Sequence, residues 1–523
     1  MITRREFMTG AAAASGAVFL PGHLWGAQND SSSYWMKTLA VSVALLTTFG
    51  GMALGGVSDP AYATIESAVS CARSECERRS AGLTNVVSVL DCRSLVEVRG
   101  GTNIWTKAIQ KALDEHDVVV IPASEDPYCV DATLVVPSNR RIEATGARIR
   151  LADGVRTLLL RNANVKDGTL RPIPSGTRDD NITVVGGSWE DWQTARAGYG
   201  RSGAFYADRR GEKGDFYGVS TLFLFENCNH VTVRDATFAN CGGFAVQAGG
   251  GDALVFERIR FADCYADGLH LNGNLSRVHC RDVRGKVGDD LVALNAYDWH
   301  NSSIDFGPQR FVLCEDLELV LKDGKGYPAI RIQPAKYRFA DGSVVDCSIW
   351  DVIFRRVKGI RTFKMYLQTP QYVVGRNDRE WAEVGSGGNF YFERLDVDLV
   401  EPIDNIGPYA ASDPLRGHFG VFELGANLSS VTVRDSDITL HADRWPRTHL
   451  VTVGPKSAPY VTKRGNRMEI FDPYVSCTVG AVGVENVRFR GKVPDELVHS
   501  VEFRDVNGDG DSSGLGRVER LGL

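Results

Sequence analysis

Asp267 lies 23 residues before Asp290, and Asp289 adjoins Asp290 in the chain. If these three fall at matching points of stacked turns, they crowd one face with carboxyls. Like charges a few ångströms apart raise one another's pKa, so a fold retains them where a cation or a reaction uses them. Glycoside hydrolysis uses such a set. One carboxylic acid protonates the leaving oxygen, and a carboxylate across the bond activates water, ~6.5–9.5 Å away for inversion. Gly268 follows Asp267 and Gly288 precedes Asp289, which fits backbone approaching closely on both sides. The plainer alternative is a solvated acidic turn. His270 follows Asp267 by three residues, so it reaches the same groove.

The elements that must position these residues form a repeat. Val231-Thr-Val-Arg-Asp235 returns as Val255-Phe-Glu-Arg258, Val278-His-Cys-Arg-Asp282 and Val312-Leu-Cys-Glu-Asp316, and later as Val431-Thr-Val-Arg-Asp435. The first intervals are 24, 23 and 34 residues. Alternating apolar and polar residues indicate strands. Short strands recurring at this period predict an all-β fold, a right-handed parallel β-helix whose stacked turns share one core. Aligned by their first valines, Asp267 and Asp290 share a position, each twelve residues on, at a stacking distance of ~4.8 Å. Asn272 and Asn295 share another, read as a structural Asn ladder at a bend. Ile104, Ala108, Ile109, Ala112 and Leu113 have helical spacing within 102–115, which predicts an amphipathic helix capping the open end.

Composition narrows the function classes. The chain has 523 residues, 59 Lys+Arg and 65 Asp+Glu, for a net charge of −6. That gives no basic excess for phosphates, so nucleic-acid binding is not expected. Gly at 55 and Pro at 19 suit a β fold rich in tight turns. Thr3-Arg4-Arg5-Glu6-Phe7-Met8, followed by apolar Ala11–Leu20, reads as a twin-arginine export signal. Leu39–Val57 holds nineteen residues without a charge and precedes Ala61-Tyr62-Ala63. It reads as a second signal with a cleavage site or as one membrane anchor, and Met36 offers another start. The expected organisation is an export region over 1–63, an extension over 64–99, and one β-helix catalytic domain over 100–523. The destination is periplasmic or extracellular. Of eleven cysteines, Cys71, Cys76, Cys92 and Cys129 are disulfide candidates. Cys228, Cys241, Cys264, Cys280 and Cys314 fall in the repeats and are expected as small core residues.

Ile182-Thr-Val-Val-Gly-Gly-Ser-Trp189, Ala266-Asp-Gly268, Gly288-Asp-Asp290 and Ile330-Arg-Ile332 together resemble the polygalacturonase family, glycoside hydrolase family 28, over roughly 100–340. The resemblance implies a pectin-lyase-like β-helix, an inverting hydrolase without cofactor or metal, and Asp267, Asp289 and Asp290 as catalytic residues. It implies Asp289 in the water-activating set and leaves the acid at Asp290 or its pair-mate. Two features depart from the family. Its Gly-His-Gly motif is absent, with His270 or His300 as spatial substitutes. Its Arg-Ile-Lys is Arg331-Ile332-Gln333 here, with Lys336 close by. Arg331, Gln333 and Lys336 are then the substrate-binding candidates, and the lost cation leaves open a neutral sugar or a different uronide.

Loops over 188–220 (Trp189, Trp192, Tyr199, Arg201, Tyr206, Arg209, Arg210) and 366–381 (Tyr366, Tyr372, Arg376, Arg379, Trp381) carry residues that stack on sugars or pair with acids. They are expected either to wall the groove, favouring exo action, or to pack on the flank. The partner is a polysaccharide or oligosaccharide, met by a monomer. Two other readings use the same fold. In a lyase or epimerase the aspartates would hold Ca²⁺ and Arg331 would abstract the proton. A glycan-binding β-helix would not turn substrate over.

Overall fold

The structure is a computed structural model and describes residues 59–155, 157–165, 178–192, 221–298, 303–320, 329–339, 341–366, 372–374, 381–399, 419–440, 448–453, 460–464, 467–471, 479–490, 502–506 and 519–520. The segments read as export signals lie outside these residues. Among the described residues no helix is long and apolar enough to cross a membrane.

The chain is an all-β parallel β-helix. Eleven strands, from Leu134–Val136 to Glu519–Arg520, stack in strict chain order into one parallel sheet. Each coil therefore pairs with the coil before and after it. Period two decides what points inward. Val246, Leu269, Val292, Ile330, Phe363 and Phe422 are successive register partners, and all are fully buried. The next residue of each strand points the other way: Gln247, His270, Ala293, Arg331, Lys364 and Glu423. On a second face, Leu254, Val278, Val312, Val352 and Phe390 form another apolar column. The residue before each, and before Val231 in the preceding coil, is left-handed. These are His230, Ala253, Arg277, Phe311, Asp351 and Asn389, with φ between 50 and 63°. Stacking holds even a phenylalanine there, at ~1–2 kcal/mol per position.

The register departs by one residue from the valine alignment. Val231 pairs with Leu254, which pairs with Val278. Val255 instead packs under a helix with Ala72, Cys76 and Ala253. The coil carries an extra residue before its next strand, where Leu269 pairs with Val292. Asp267 and Asp290 therefore still correspond.

Two helices serve the solenoid. The first, α1 (Pro60–Ala81), is capped by Asp59, whose side chain accepts from Ala61 N–H at 2.9 Å, with Pro60 in the first turn. It buries Ile65, Val69, Ala72 and Cys76, packing Ile65 and Val69 against Leu313, Ile353 and Tyr391. It touches strands of seven coils, from Asp179–Val185 to Ser386–Glu393. A helix of this size is ~33 Å long, and seven strands at ~4.8 Å spacing span ~29 Å. The strap begins at Pro60, so Ala61–Ala63 belong to its first turn. The second, α2 (Thr106–Glu115), is the expected cap and buries Ala108, Ile109, Ala112 and Leu113. It starts later than expected, because Thr102–Ile104 pairs as a strand with Glu97–Arg99. Its Gln110 amide donates to the Val135 carbonyl and accepts from the Val135 N–H, both at 2.8 Å. The first strand of the eleven thus has its free edge bonded by a side chain.

Cys71, Cys76, Cys92 and Cys129 are free thiols rather than disulfides. Cys76 is buried and donates to the Ala253 carbonyl at 3.3 Å. Cys228, Cys241, Cys264, Cys280 and Cys314 are buried core residues.

Candidate active site

The site grows from the outward column of the eleven-stranded sheet. Asp267 ends the turn before Leu269–Asn272, and Asp289 and Asp290 end the turn before Val292–Asn295. Both turns are pressed against neighbouring backbone. A Cβ on Gly288 would lie 1.9 Å from the Tyr265 carbonyl oxygen, and one on Gly268 would lie 2.4 Å from the Phe261 ring. Only glycine permits this packing, as the sequence indicated.

The aspartates converge. Their nearest oxygens lie within 4.8 Å of one another. Asp290 N–H donates to Asp267 Oδ1 at 3.2 Å, tying the two coils together. The other Asp267 oxygen, Oδ2, accepts from His270 Nδ1 at 2.6 Å. His270 Nε2 lies 3.0 Å from Asp298 Oδ2, and Asn295 Nδ2 donates to that same oxygen at 3.1 Å. Phe244 stacks on the imidazole at 3.9 Å and 11°. Burial works against a charged imidazole here, but the bonds to Asp267 and Asp298 outweigh it and push its pKa up to about 9. His270 is therefore an imidazolium locked between two carboxylates. Asp298 was not among the sequence candidates.

Asp290 is clamped by two cations. Arg331 Nε donates to its Oδ2 at 2.9 Å, and Lys364 Nζ lies 2.7 Å from its Oδ1. Burial raises the Asp290 pKa, yet Lys364 and Arg331 together hold it below the usual carboxylate range. Lys364 is 1% exposed and is also absent from the sequence candidates. Asp289 differs sharply. Its side chain is 41% exposed, and Lys364 Nζ stands 3.8 Å away, beyond hydrogen-bond length. Burial of the carboxyl group, then the charge of Asp290, push its pKa up to about 7. Burial raises Asp267 likewise, with His270 pulling the other way.

The remaining sequence candidates separate. Arg331 and His270 occupy one register column, as expected. Gln333 is fully buried and donates to the Tyr297 carbonyl at 2.7 Å, so it braces the next bend rather than facing a sugar. Lys336 lies on an antiparallel strand, Ala335–Arg338, half exposed and 4.0 Å from Glu383. His300 lies outside the described residues. Asn272 and Asn295 are register partners. Asn272 accepts from Gln247 at 2.7 Å, which is the structural role expected of it. Trp189 is a correction: it is fully buried, donates to the Gly186 carbonyl at 2.9 Å and packs edge-on to Phe223. Trp192 donates to the Val155 carbonyl at 2.6 Å. Tyr199, Arg201, Tyr206, Arg209, Arg210, Arg376, Arg379 and the side chains of Tyr366, Tyr372 and Trp381 lie outside the described residues.

Three carboxylates this close could share a divalent cation. This set does not fit calcium. An ammonium and a guanidinium already hold both oxygens of Asp290, and calcium requires six to eight oxygens without cations among them.

No protein-family model and no curated protein matches the chain. Solved structures do resemble it. A hyperthermoactive exopolygalacturonase from Thermotoga maritima is 11% identical, with 83% of this chain and 98% of that one covered and a TM-score of 0.41. The surface adhesin PfbA of Streptococcus pneumoniae is also 11% identical, covering 83% and 99%, with a TM-score of 0.38. A family 28 exopolygalacturonase from Yersinia enterocolitica is 15% identical, covering 78% and 79%, with a TM-score of 0.33. Likenesses this distant carry no inference of activity, so the reaction is argued from the side chains alone.

Proposed function

We propose that this chain is a glycoside hydrolase acting on a polysaccharide or oligosaccharide. One observation carries the reading: Asp290 is buried with Arg331 and Lys364 on its two oxygens, while its neighbour Asp289 is 41% exposed with Lys364 Nζ 3.8 Å away. Asp289 is half-buried, and burial, then the charge of Asp290, push its pKa up to about 7. Asp290 is buried and held ionised. Asp289 then gives its proton to the glycosidic oxygen as the bond from the anomeric carbon breaks. Asp290, oriented with Asp267, takes a proton from the water whose oxygen bonds to that carbon. This reading takes Asp289 as the acid, whereas the resemblance also implies it in the water-activating set. The nearest carboxyl oxygens, within 4.8 Å of one another, stand closer than the ~6.5–9.5 Å of an inverting pair, so the first-formed anomer decides the stereochemical course.

The calcium-dependent lyase reading is the weaker one. Lys364 and Arg331 already hold both oxygens of Asp290. The deciding assay is incubation with a panel of neutral and acidic polysaccharides. New reducing ends without ultraviolet absorbance, lost in Asp289→Asn, support hydrolysis. Absorbance from an unsaturated sugar would replace it with elimination, and binding without turnover would make the chain a glycan-binding β-helix. Proton NMR of the first-formed anomer tests inversion. Export through the twin-arginine route belongs to the same proposal, and cell fractionation tests it.

A further inference from the structure

Lys364 occupies an unusual place. Arg331 and Lys364 are register partners on consecutive coils, so two cations stack ~4.8 Å apart. The coil that carries Asp289 and Asp290 contributes only Ala293 to this column. The small side chain leaves room for both cations to reach back to Asp290. Lys364 is 1% exposed and stands 2.7 Å from Asp290 and 3.8 Å from Asp289. A stacked pair of buried cations repels unless an anion lies between them, and Asp290 is that anion.

We propose that Lys364 is a positioning residue: its ammonium, set on Asp290 and short of Asp289, decides which of the two adjacent carboxyls holds the proton. This rests on the hydrolase reading for its catalytic consequence, though not for the protonation itself. The groups facing the pair are Arg331 and Lys364 on Asp290, and Asp267 through the Asp290 backbone N–H. Asp267 carries His270, which carries Asp298. Glu423 follows Lys364 in the column. Arg331 Nε donates to Asp290, and Lys364 Nζ faces both aspartates, 2.7 Å from Asp290 and 3.8 Å from Asp289, so its uneven placement weights the pair toward an ionised Asp290.

The test uses the full chain with Lys364→Met and Lys364→Arg, each checked for an unchanged fold by circular dichroism. Carbon-13 labelling of aspartate carboxyls, with Asp289→Asn and Asp290→Asn identifying their resonances, reads the protonation without any substrate. In Lys364→Met the Asp290 resonance is expected to titrate at least about one pH unit higher and to move further than that of Asp289, which Lys364 holds from a greater distance. Lys364→Arg is expected to restore most of the difference. On a glycoside that the wild type hydrolyses, the acid limb of kcat/KM should rise in parallel, with a fall of ~10–100-fold near neutrality. Unchanged carboxyl titrations in Lys364→Met would overturn the proposal, as would a lowered melting temperature and kcat with both pH limbs unmoved. If Lys364→Met does not fold, Lys364→Gln, which keeps a donor without the charge, is read the same way. If the wild type hydrolyses nothing, the hydrolase reading fails while the titration still decides the role of Lys364.

Discussion

Two flanks of this solenoid are dense in Arg, His, Asp and Glu, and they use them differently. On the strapped flank, charges are matched and shared. Glu75 of α1 meets Arg277, which also holds Asp252. Arg73 meets Glu257, and Arg355 bridges Glu66 and Glu315. Tyr62 donates to Glu393 and Tyr391 donates to Asp59, both at 2.6 Å. Burial raises Glu75 and Glu315, but their cations prevail and hold both below the usual carboxylate range. Glu75 and Glu315 are thereby held as carboxylates in ion pairs that fasten the helix to the coils. Around the aspartates, Arg331 and Lys364 close on Asp290 and the imidazolium on Asp267 and Asp298, while burial and the charge of Asp290 push the Asp289 pKa up to about 7. The same residue types thus make a staple on one flank, and on the other leave one carboxyl with its cation beyond hydrogen-bond length.

The sharpest way to break this contrast is to remove each aspartate of the pair. Asp289→Asn should abolish general-acid catalysis, a loss of ~10²–10⁴-fold in kcat. It should leave melting unchanged or raised, because it removes crowding charge. Asp290→Asn should lose activity as well but also destabilise by ~3–5 kcal/mol, because it strands buried Lys364 beside Arg331. In the wild type, activity should decline as pH rises through about 7, where Asp289 loses its proton. Paired kinetics and urea melts check this. Equal stability losses in the two variants would erase the asymmetry on which the acid and base assignments rest.

The next effect concerns His270. Its folded pKa, about 9, exceeds the ordinary 6.5. A raised cationic pKa stabilises fully below the unfolded value, and that stabilisation is lost as pH climbs through the folded one. Between pH 6 and 9.5 the wild type should therefore lose on the order of 3 kcal/mol from this residue. His270→Gln should start lower, with two buried carboxylates short of a charged partner, and should show a flatter slope. Urea midpoints across that range measure it, and parallel slopes would mean that His270 is neutral in the fold.

Much of this was legible in the chain, unevenly. Gly268, Gly288 and the three aspartates lie within one repeat of each other, so a short-range alignment brought them together. That alignment began one residue off at Val255, and the extra residue in the same coil cancelled the error. His270 and Arg331 were placed in one column for the same reason. Lys364 was missed because a β-hairpin, Ala335–Arg338 with Val344–Cys347, enters the chain between it and Arg331, and no fixed period survives such an insertion. Asp298 lies on a bend, where strand register says nothing. The strap α1 did leave a signal. Ile65, Val69, Ala72 and Cys76 follow at four, three and four residues, a helical stripe behind an Asp-Pro start. The apolar run before it drew Pro60–Ala63 into the export reading, and the rest fell in the extension over 64–99.

Stability on the strapped flank should respond to packing without touching the chemistry. Ile65 is fully buried against Leu313 and Ile353. Ile65→Val should cost about 1 kcal/mol and leave kcat and both pH limbs unchanged. A shifted pH limb in this variant would show that the two flanks are coupled, and the contrast between them would have to be redrawn.

The smallest effect tests the bends that both flanks share. Arg258 pairs through two bonds with Asp235, at 2.5 and 2.9 Å. Both side chains are about two-fifths exposed, 40% and 41%, so the pair is screened and worth under ~1 kcal/mol. Arg258 also has φ +54°, as do its stack neighbours Asp235 and Asp282 at 58 and 52°. Alanine and glycine both remove the ion pair, yet only glycine adopts this backbone without strain. Arg258→Gly should therefore be more stable than Arg258→Ala by about 1 kcal/mol, with the wild type between them or level with glycine. Calorimetric melts of the three rank them. Alanine as stable as glycine would mean that the stacked coils, rather than the residue at the bend, carry the whole cost of the left-handed turn.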